Sequence, residues 1–398
     1  MLRQYKLKDF NFRLVILLFI LSFIGVLLVG SADASLQNKQ LIGLIAGMIV
    51  MFIISIMDYS WILNFYWIIY FVTCGLLLYV LIMGSSKKGA SRWIQIGGEN
   101  GFEFQPTEVA KILLILFFAM YLQKHENDLN TLKTILKSVI LLAFPLIMIV
   151  RQPDLKNTIT ITILFCVIMY VAGLSYKIIG GFLLVLIPLV FIAFFLITQT
   201  DLQIIDDYQK ERIMTFLDPE NEDYSESAIQ QNNSVMAIGS GQVSGKGLNN
   251  NLVSSSNKGN FVAEIQNDFI FAVAGEELGF IGCFLIILLL FLISFECIRM
   301  SRRSKNLSGS IICCGIAALI SIQSFINICV ATGLLPNTGT TLPFVSYGLT
   351  SFLSLYAGMG FVLNVGLQNK NFYGGNKKDA RWNLTEKEAR KGNHFSFK

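Results

Sequence analysis

One carboxylate stands where the chain leaves its longest polar stretch and enters an apolar helical run. It is Asp268, in Asn267-Asp268-Phe269-Ile270-Phe271-Ala272-Val273-Ala274-Gly275-Glu276-Glu277-Leu278-Gly279. An acid at the boundary between water and hydrocarbon is costly to hold, and such a residue marks a functional position by default. Poor hydration also makes a carboxylate a stronger base near neutral pH. Glu108, Glu276 and Glu277 share that kind of setting, whereas the acids around Asp218 to Glu226 read as ordinary solvated groups.

Further segments join charged or hydroxyl groups to helix ends. Arg92 lies in Ser91-Arg92-Trp93-Ile94, upstream of Phe104-Gln105-Pro106-Thr107-Glu108-Val109-Ala110-Lys111. Pro106 suits the first turn of a helix, and Glu108 and Lys111, three apart, share a helix face. They make either an ion pair that only offsets its own burial or a cation presented to an anionic headgroup with Glu108 orienting it. Asp154, in Gln152-Pro153-Asp154-Leu155, either caps the next helix or touches substrate. Arg212 is one of four bases against ten acids in residues 199–267. Its planar fork suits a phosphate, although a solvated loop charge explains it too. Gly239-Ser240-Gly241 and Gly245-Lys246-Gly247 could expose backbone N–H groups to an anion, without the spacing or preceding strand of a nucleotide-binding loop. The Pro- and Gly-dense stretch Leu334–Gly348 offers Ser346 and Tyr347 to a sugar or phosphate, or is a rigid turn.

The elements that must position these groups are membrane spans. The chain has 398 residues, 54% hydrophobic and 14% charged, with mean hydropathy +0.61, against about 25% charged in soluble domains. At about 20 apolar residues per crossing, ten helices are expected near 12–30, 40–57, 61–83, 106–123, 136–150, 157–174, 177–198, 278–298, 308–331 and 350–367. This is an all-α integral membrane protein whose first span reads as retained, not as a cleaved signal. Most lysines and arginines lie in the segments that an N-in, C-in arrangement puts inside. That leaves a large extracytoplasmic loop, 199–267, between the seventh and eighth spans. A continuous helix over 268–298 would exceed the hydrocarbon thickness, so 268–277 reads as a re-entrant or interfacial helix hinged at Gly275 or Gly279. Residues 1–368 form the membrane domain and 369–398 a basic cytoplasmic tail. Gly43 and Gly47 match a small-residue helix contact. The seven cysteines read as small apolar residues, and with only His125 and His394 a histidine-based centre is not expected.

Taken in order, these stretches resemble the signatures of the SEDS family, the bacterial shape, elongation, division and sporulation proteins of RodA, FtsW and SpoVE type. The resemblance covers about residues 12–368. It rests on Ser91–Ile94 with Phe104–Lys111, Gln152–Leu155, Phe216-Leu217-Asp218-Pro219, Ala237–Gly241 with Gly245–Gly247, Asn267–Gly279, and Leu334–Gly339 with Leu342–Gly348. The chain departs from the usual pattern at Lys156-Asn157, Gln242, Leu349 and Glu264–Asn267.

The resemblance implies a peptidoglycan glycosyltransferase that polymerises lipid II on the outer face of the bacterial cytoplasmic membrane, working with a class B penicillin-binding protein. It implies that Asp268 is the essential acid and that Lys111 is the lysine of the family motif. On this reading Asp268 is the catalytic base. Lys111, Glu108, Arg92, Arg212, Asp154, Lys246, Ser346 and Tyr347 are the expected substrate-binding residues. A divalent cation, Mg or Mn, helps to balance the leaving charge; no organic cofactor and no nucleic acid are expected. Two rivals remain: a lipid flippase or transporter, for which Gln323 and Asn327 would line a wet path, and a non-catalytic scaffold for a penicillin-binding protein.

Overall fold

The computed structural model describes residues 10–87, 90–96, 102–182, 184, 188, 207–217, 225–249 and 265–368. Asp218 of the Phe-Leu-Asp-Pro stretch, His394 and the basic tail lie outside them.

Apolar composition and end capping set the helices. The first two are α1 (Phe12–Ala32) and α2 (Ala34–Ile56). Asn11 caps α1 by accepting the Leu14 N–H, and Asp33 caps α2 by accepting that of Ser35. α2 starts six residues before the expected apolar span, because the Asp33 cap lets a polar first turn form. A short α3 (Tyr59–Leu63), capped by Asp58, leads into α4 (Tyr66–Met83). α5 (Pro106–Lys124), α6 (Leu132–Val150) and α7 (Leu155–Val171) follow, then α8, helical over 176–182. Most of the expected 177–198 span lies outside the described residues. In the long loop, α9 (Asp207–Leu217) and α10 (Ser225–Ser240) precede α11 (Ile270–Arg303), α12 (Leu307–Ala331) and α13 (Leu349–Leu367).

Eight of these helices are long and apolar enough to cross a membrane: α1, α2, α4, α5, α6, α11, α12 and α13. α5 and α13 form the centre, with 78% and 83% of their apolar windows buried against 28% for the peripheral α4. Close approach of α2 to α13 depends on the two glycines seen in the sequence. A Cβ at Gly43 would lie 2.7 Å from Leu349 Cδ2, and one at Gly47 2.7 Å from Tyr356 Cδ2. All seven cysteines are free.

Two features go beyond the expected spans. A small antiparallel sheet, β1 (Ser85–Lys87), β2 (Ala90–Ile96) and β3 (Phe102–Phe104), joins α4 to α5, with Ile94 opposite Phe104. In addition, α11 is two helices broken at Gly279, whose φ of 66° and ψ of −164° no helix contains. Gly275 stays helical. The break strands carbonyls below it and N–H groups above it, and the Gly-rich loop after α10 satisfies both. The N–H groups of Lys246 and Gly247 donate to the carbonyls of Glu276 (3.0 Å) and Glu277 (2.9 Å). Phe280 and Ile281 donate in return to the carbonyls of Gln242 (2.9 Å) and Val243 (3.2 Å). The N–H groups of Lys246 and Gly247 are therefore committed to the broken helix, which corrects the expectation that these two cradle an anion.

Candidate functional site

The broken helix α11 carries Asp268 at its entry, half-buried just before its first turn. Asn327 of α12, itself 1% exposed, fixes this point. Its amide nitrogen donates both to the Asp268 carbonyl (2.8 Å) and to the Thr340 carbonyl (2.6 Å). One side chain thus ties the backbone of the acid to the loop between α12 and α13. Asn327 was open to a transport role in the sequence; here it is a clamp.

That loop brings the charges together at Gly339. The residue has φ 71°, a conformation open to glycine at little cost. A Cβ added there would sit 3.1 Å from Asp268 Oδ2 and 3.4 Å from Arg212 Nη1. Its carbonyl accepts a hydrogen bond from Lys156 Nζ, while Arg212 Nη1 donates to the neighbouring Asn337 carbonyl at 3.0 Å. Elements distant in sequence (α7, α9, the entry of α11 and the α12–α13 loop) therefore meet around a single glycine. Beside it lies a cleft of about 60 Å³ whose walls include Arg92, Lys156 and Arg212. Asp268 is not one of its walls and lies just across Gly339. Arg92 reaches the cleft from β2, held by the carbonyls of Gln152 (3.3 Å) and Pro153.

Lys111 and Glu108 lie elsewhere, inside the helix packing. The lysine is 1% exposed and donates to Glu108 Oε1 (2.8 Å) and Asn157 Oδ1 (3.1 Å). Asn157 in turn donates to Asp154 Oδ2 at 2.8 Å. Asp154 is fully buried and caps α7, accepting the Asn157 N–H at 3.4 Å. This network satisfies a buried ion pair through neighbours, as such pairs require. It corrects the picture of Lys111 displayed to a headgroup and of Asp154 touching substrate: both are enclosed, and they shape the start of α7 from which Lys156 projects.

Lys246 pairs with Glu276 at 2.8 Å on the α11 break, and Ser31 donates to Glu277 nearby. Ser346 is 4% exposed, and its hydroxyl accepts the Leu342 N–H at 2.7 Å. The rigid-turn reading therefore applies to Ser346. Tyr347 is half-buried beside it, its N–H donating to the Gln266 carbonyl at 3.0 Å. Lys156 was absent from the residues expected at the site. Its one sequence signal was its place in the departure after Gln152–Leu155.

Apolar helices around a polar centre, with Asp268 and several cations meeting at helix ends, define a multi-pass membrane protein. The chain belongs to the cell cycle protein family of FtsW, RodA and SpoVE, whose model matches residues 10–371. A protein of Geobacter sulfurreducens named "Probable peptidoglycan glycosyltransferase FtsW" is 31% identical, over 92% of this chain and 97% of its own length. One of the same name from Wigglesworthia glossinidia brevipalpis is 32% identical over 88% and 91%. Among solved structures, the fold is similar to a chain from "Structural coordination of polymerization and crosslinking by a peptidoglycan synthase complex". The TM-score there is 0.74 at 25% identity, covering 92% of this chain and 99% of that one. Thermus thermophilus rod shape determining protein RodA shares the fold with a TM-score of 0.65 at 23% identity, covering 91% and 98%.

Proposed function

We propose that this chain is a peptidoglycan glycosyltransferase that extends glycan strands from lipid II, with Asp268 as general base. The observation that carries this reading is the meeting of Asp268 Oδ2 and Arg212 Nη1 at Gly339, beside a cleft walled by Arg92 and Lys156. The names of the FtsW relatives support the reaction class.

Asp268 takes the proton from the acceptor sugar's 4-hydroxyl. The freed oxygen forms a bond to the donor's anomeric carbon, and the bond from that carbon to the pyrophosphate oxygen breaks. The pyrophosphate leaves with the electron pair, and the displacement inverts an α-linkage to β. Arg212, Lys156 and Arg92 offset the charge that grows on the leaving group, as preorganised cations do in phosphoryl-bearing sites. Asn327 acts one step back, holding the Asp268 backbone in register with the loop.

Among the described residues no three His, Cys, Asp or Glu side chains gather; the divalent cation, Mg or Mn, would be held by one or two carboxylates together with the substrate's phosphates. The cations near Asp268 already supply positive charge, so no step is routed through a metal.

The basic residues of the inner segments favour an N-in, C-in arrangement in the bacterial cytoplasmic membrane, with Asp268 on the outer face. There residues 270–278 act as an interfacial helix. The likeness to a chain of a peptidoglycan synthase complex supports a class B penicillin-binding protein as partner. Purified full-length protein with that partner, given lipid II in liposomes, tests the reading. Glycan polymer resolved on a gel is the expected product. Headgroup translocation without polymer would favour a flippase, and neither activity would favour a scaffold.

A further inference from the structure

We propose that Gln323, Ser324 and Asn327 of α12 enclose one tightly held water, and that Gln323 acts through it as a positioning residue for Asp268. The inference rests on the glycosyltransferase reading and adds the support behind Asn327.

Gln323, Ser324 and Asn327 are 2%, 7% and 1% exposed. Their spacing makes one patch on the helix, since side chains three and four residues apart are neighbours with Cβ atoms about 5–6 Å apart. Gln323 Oε1, Ser324 Oγ and Asn327 Oδ1 each lack a hydrogen-bond partner among the described residues. A buried polar atom in that condition is costly and calls for an occupant. The orientation of Asn327 is fixed, because its nitrogen donates to the carbonyls of Asp268 (2.8 Å) and Thr340 (2.6 Å). Turning the amide over would set its oxygen against both carbonyls, so Oδ1 is an acceptor in need of a donor. Ser324 departs from its neighbours on α12. The hydroxyls of Ser321 and Thr332 turn back onto the carbonyls of Ala317 (2.9 Å) and Ile328 (2.8 Å). The Ser324 hydroxyl makes no such bond, so its proton is open to another acceptor. Two acceptors and one donor are the complement of one water, which gives two hydrogen bonds and takes one. About three bonds are usual for a buried water, and two O–H···O bonds of about 2.8 Å laid end to end match the spacing of neighbouring side chains. The three groups are neutral, which favours water over a metal cation. The bonds then run from Gln323 through the water to Asn327 and on to the Asp268 backbone. Gln323 and Asn327, open in the sequence to a wet path, hold instead a single enclosed molecule.

The test uses the full chain with its partner in lipid nanodiscs. Gln323→Met keeps the length of the side chain and removes the acceptor. It should lower kcat for glycan synthesis by about twofold to tenfold, the range for one neutral hydrogen bond, with KM for lipid II unchanged. Ser324→Ala should act in the same direction, and Ser324→Thr, which keeps the hydroxyl, should restore the rate. Because one water serves both residues, the double variant of Gln323→Met with Ser324→Ala should lose less than the product of the two single losses. Two measurements do not depend on activity. Amide exchange at Ile270 and Phe271, just after Asp268, should quicken in Gln323→Met. A map of the wild-type protein should show one density peak within hydrogen-bond distance of all three oxygens, and a crystal soaked in thallium should give no anomalous signal there. Losses that multiply, no recovery in Ser324→Thr, a raised KM at unchanged kcat, unaltered exchange, an absent peak or a thallium signal would overturn the proposal. A water peak and quickened exchange in a protein making no glycan would leave the water site standing and sink the glycosyltransferase reading instead.

Discussion

A methyl group at residue 339 would press on both the Asp268 carboxylate and the Arg212 guanidinium and would force an L-residue into a left-handed backbone. Gly339→Ala should therefore cut glycan synthesis by at least about tenfold, with a loss of about 1–3 kcal/mol in stability from the strained backbone. Turnover equal to wild type would show that the acid and the cation do not work at this spacing. Lys111 carries a different prediction. Its removal leaves Glu108 charged and enclosed, so Lys111→Met should cost about 3–5 kcal/mol in thermal or denaturant unfolding. The double variant with Glu108→Gln should recover much of that loss. An unaltered melting point for Lys111→Met would return the lysine to direct substrate contact. At this scale the sequence was informative about residue types and less so about contacts. Asp268, Arg92 and Arg212 stand out by charge in apolar or acidic surroundings. Burial of Lys111 and Asp154 depends on how α5 meets α7, which no spacing within either segment reveals. Lys156 was passed over because a lysine at a helix start reads as a solvated charge until the α12–α13 loop is seen folding over it.

The break in α11 interrupts the helix that Asp268 leads into. Gly279 combines φ 66° with a close approach: its Cβ would collide with the Gly245 backbone nitrogen. Gly279→Ala should lower the melting temperature and detach the Gly241–Gly247 loop, read as faster amide exchange at Lys246 and Gly247. Wild-type exchange at both amides would show that the mutual capping does not hold the break. A need for interruption was legible from length alone, since 268–298 is too long for one crossing. Which glycine bends, and that a distant loop caps the bend, was not, because the glycine motif matched an anion cradle equally well. The sheet β1–β3 escaped notice for a similar reason: two of its strands have three residues each, too short for alternation to register. On another element, Asp58 caps α3 and accepts from Gln368 at 2.8 Å. Burial pushes its carboxyl up, but the hydrogen bonds from Gln368 and Ser60 and the charge of Lys305 outweigh that and hold it below the ordinary carboxylate value. Its stabilising contribution is thus complete above the ordinary value and fades as pH falls through the lower, folded one. Asp58→Asn should flatten the acid side of the melting-temperature profile, and an unchanged profile would remove Asp58 from the account.

Across the whole molecule, the apolar spans were readable because hydrocarbon demands about 20 apolar residues per crossing. Their arrangement, with α5 and α13 innermost, follows from side-chain size at helix contacts such as Gly43 and Gly47. Single cysteines placed at Gln242 and Phe10 in a cysteine-free background should label with a membrane-impermeant maleimide only at Gln242 in intact cells. Labelling at Phe10 alone would invert the proposed topology and put Asp268 on the wrong side for a wall polymer. The most direct measurement replaces one oxygen of the acid. Purified Asp268→Asn, matched to wild type in melting temperature and partner binding, should yield no glycan polymer from lipid II. Polymer at the wild-type rate from that variant would contradict the assignment of Asp268 as the base.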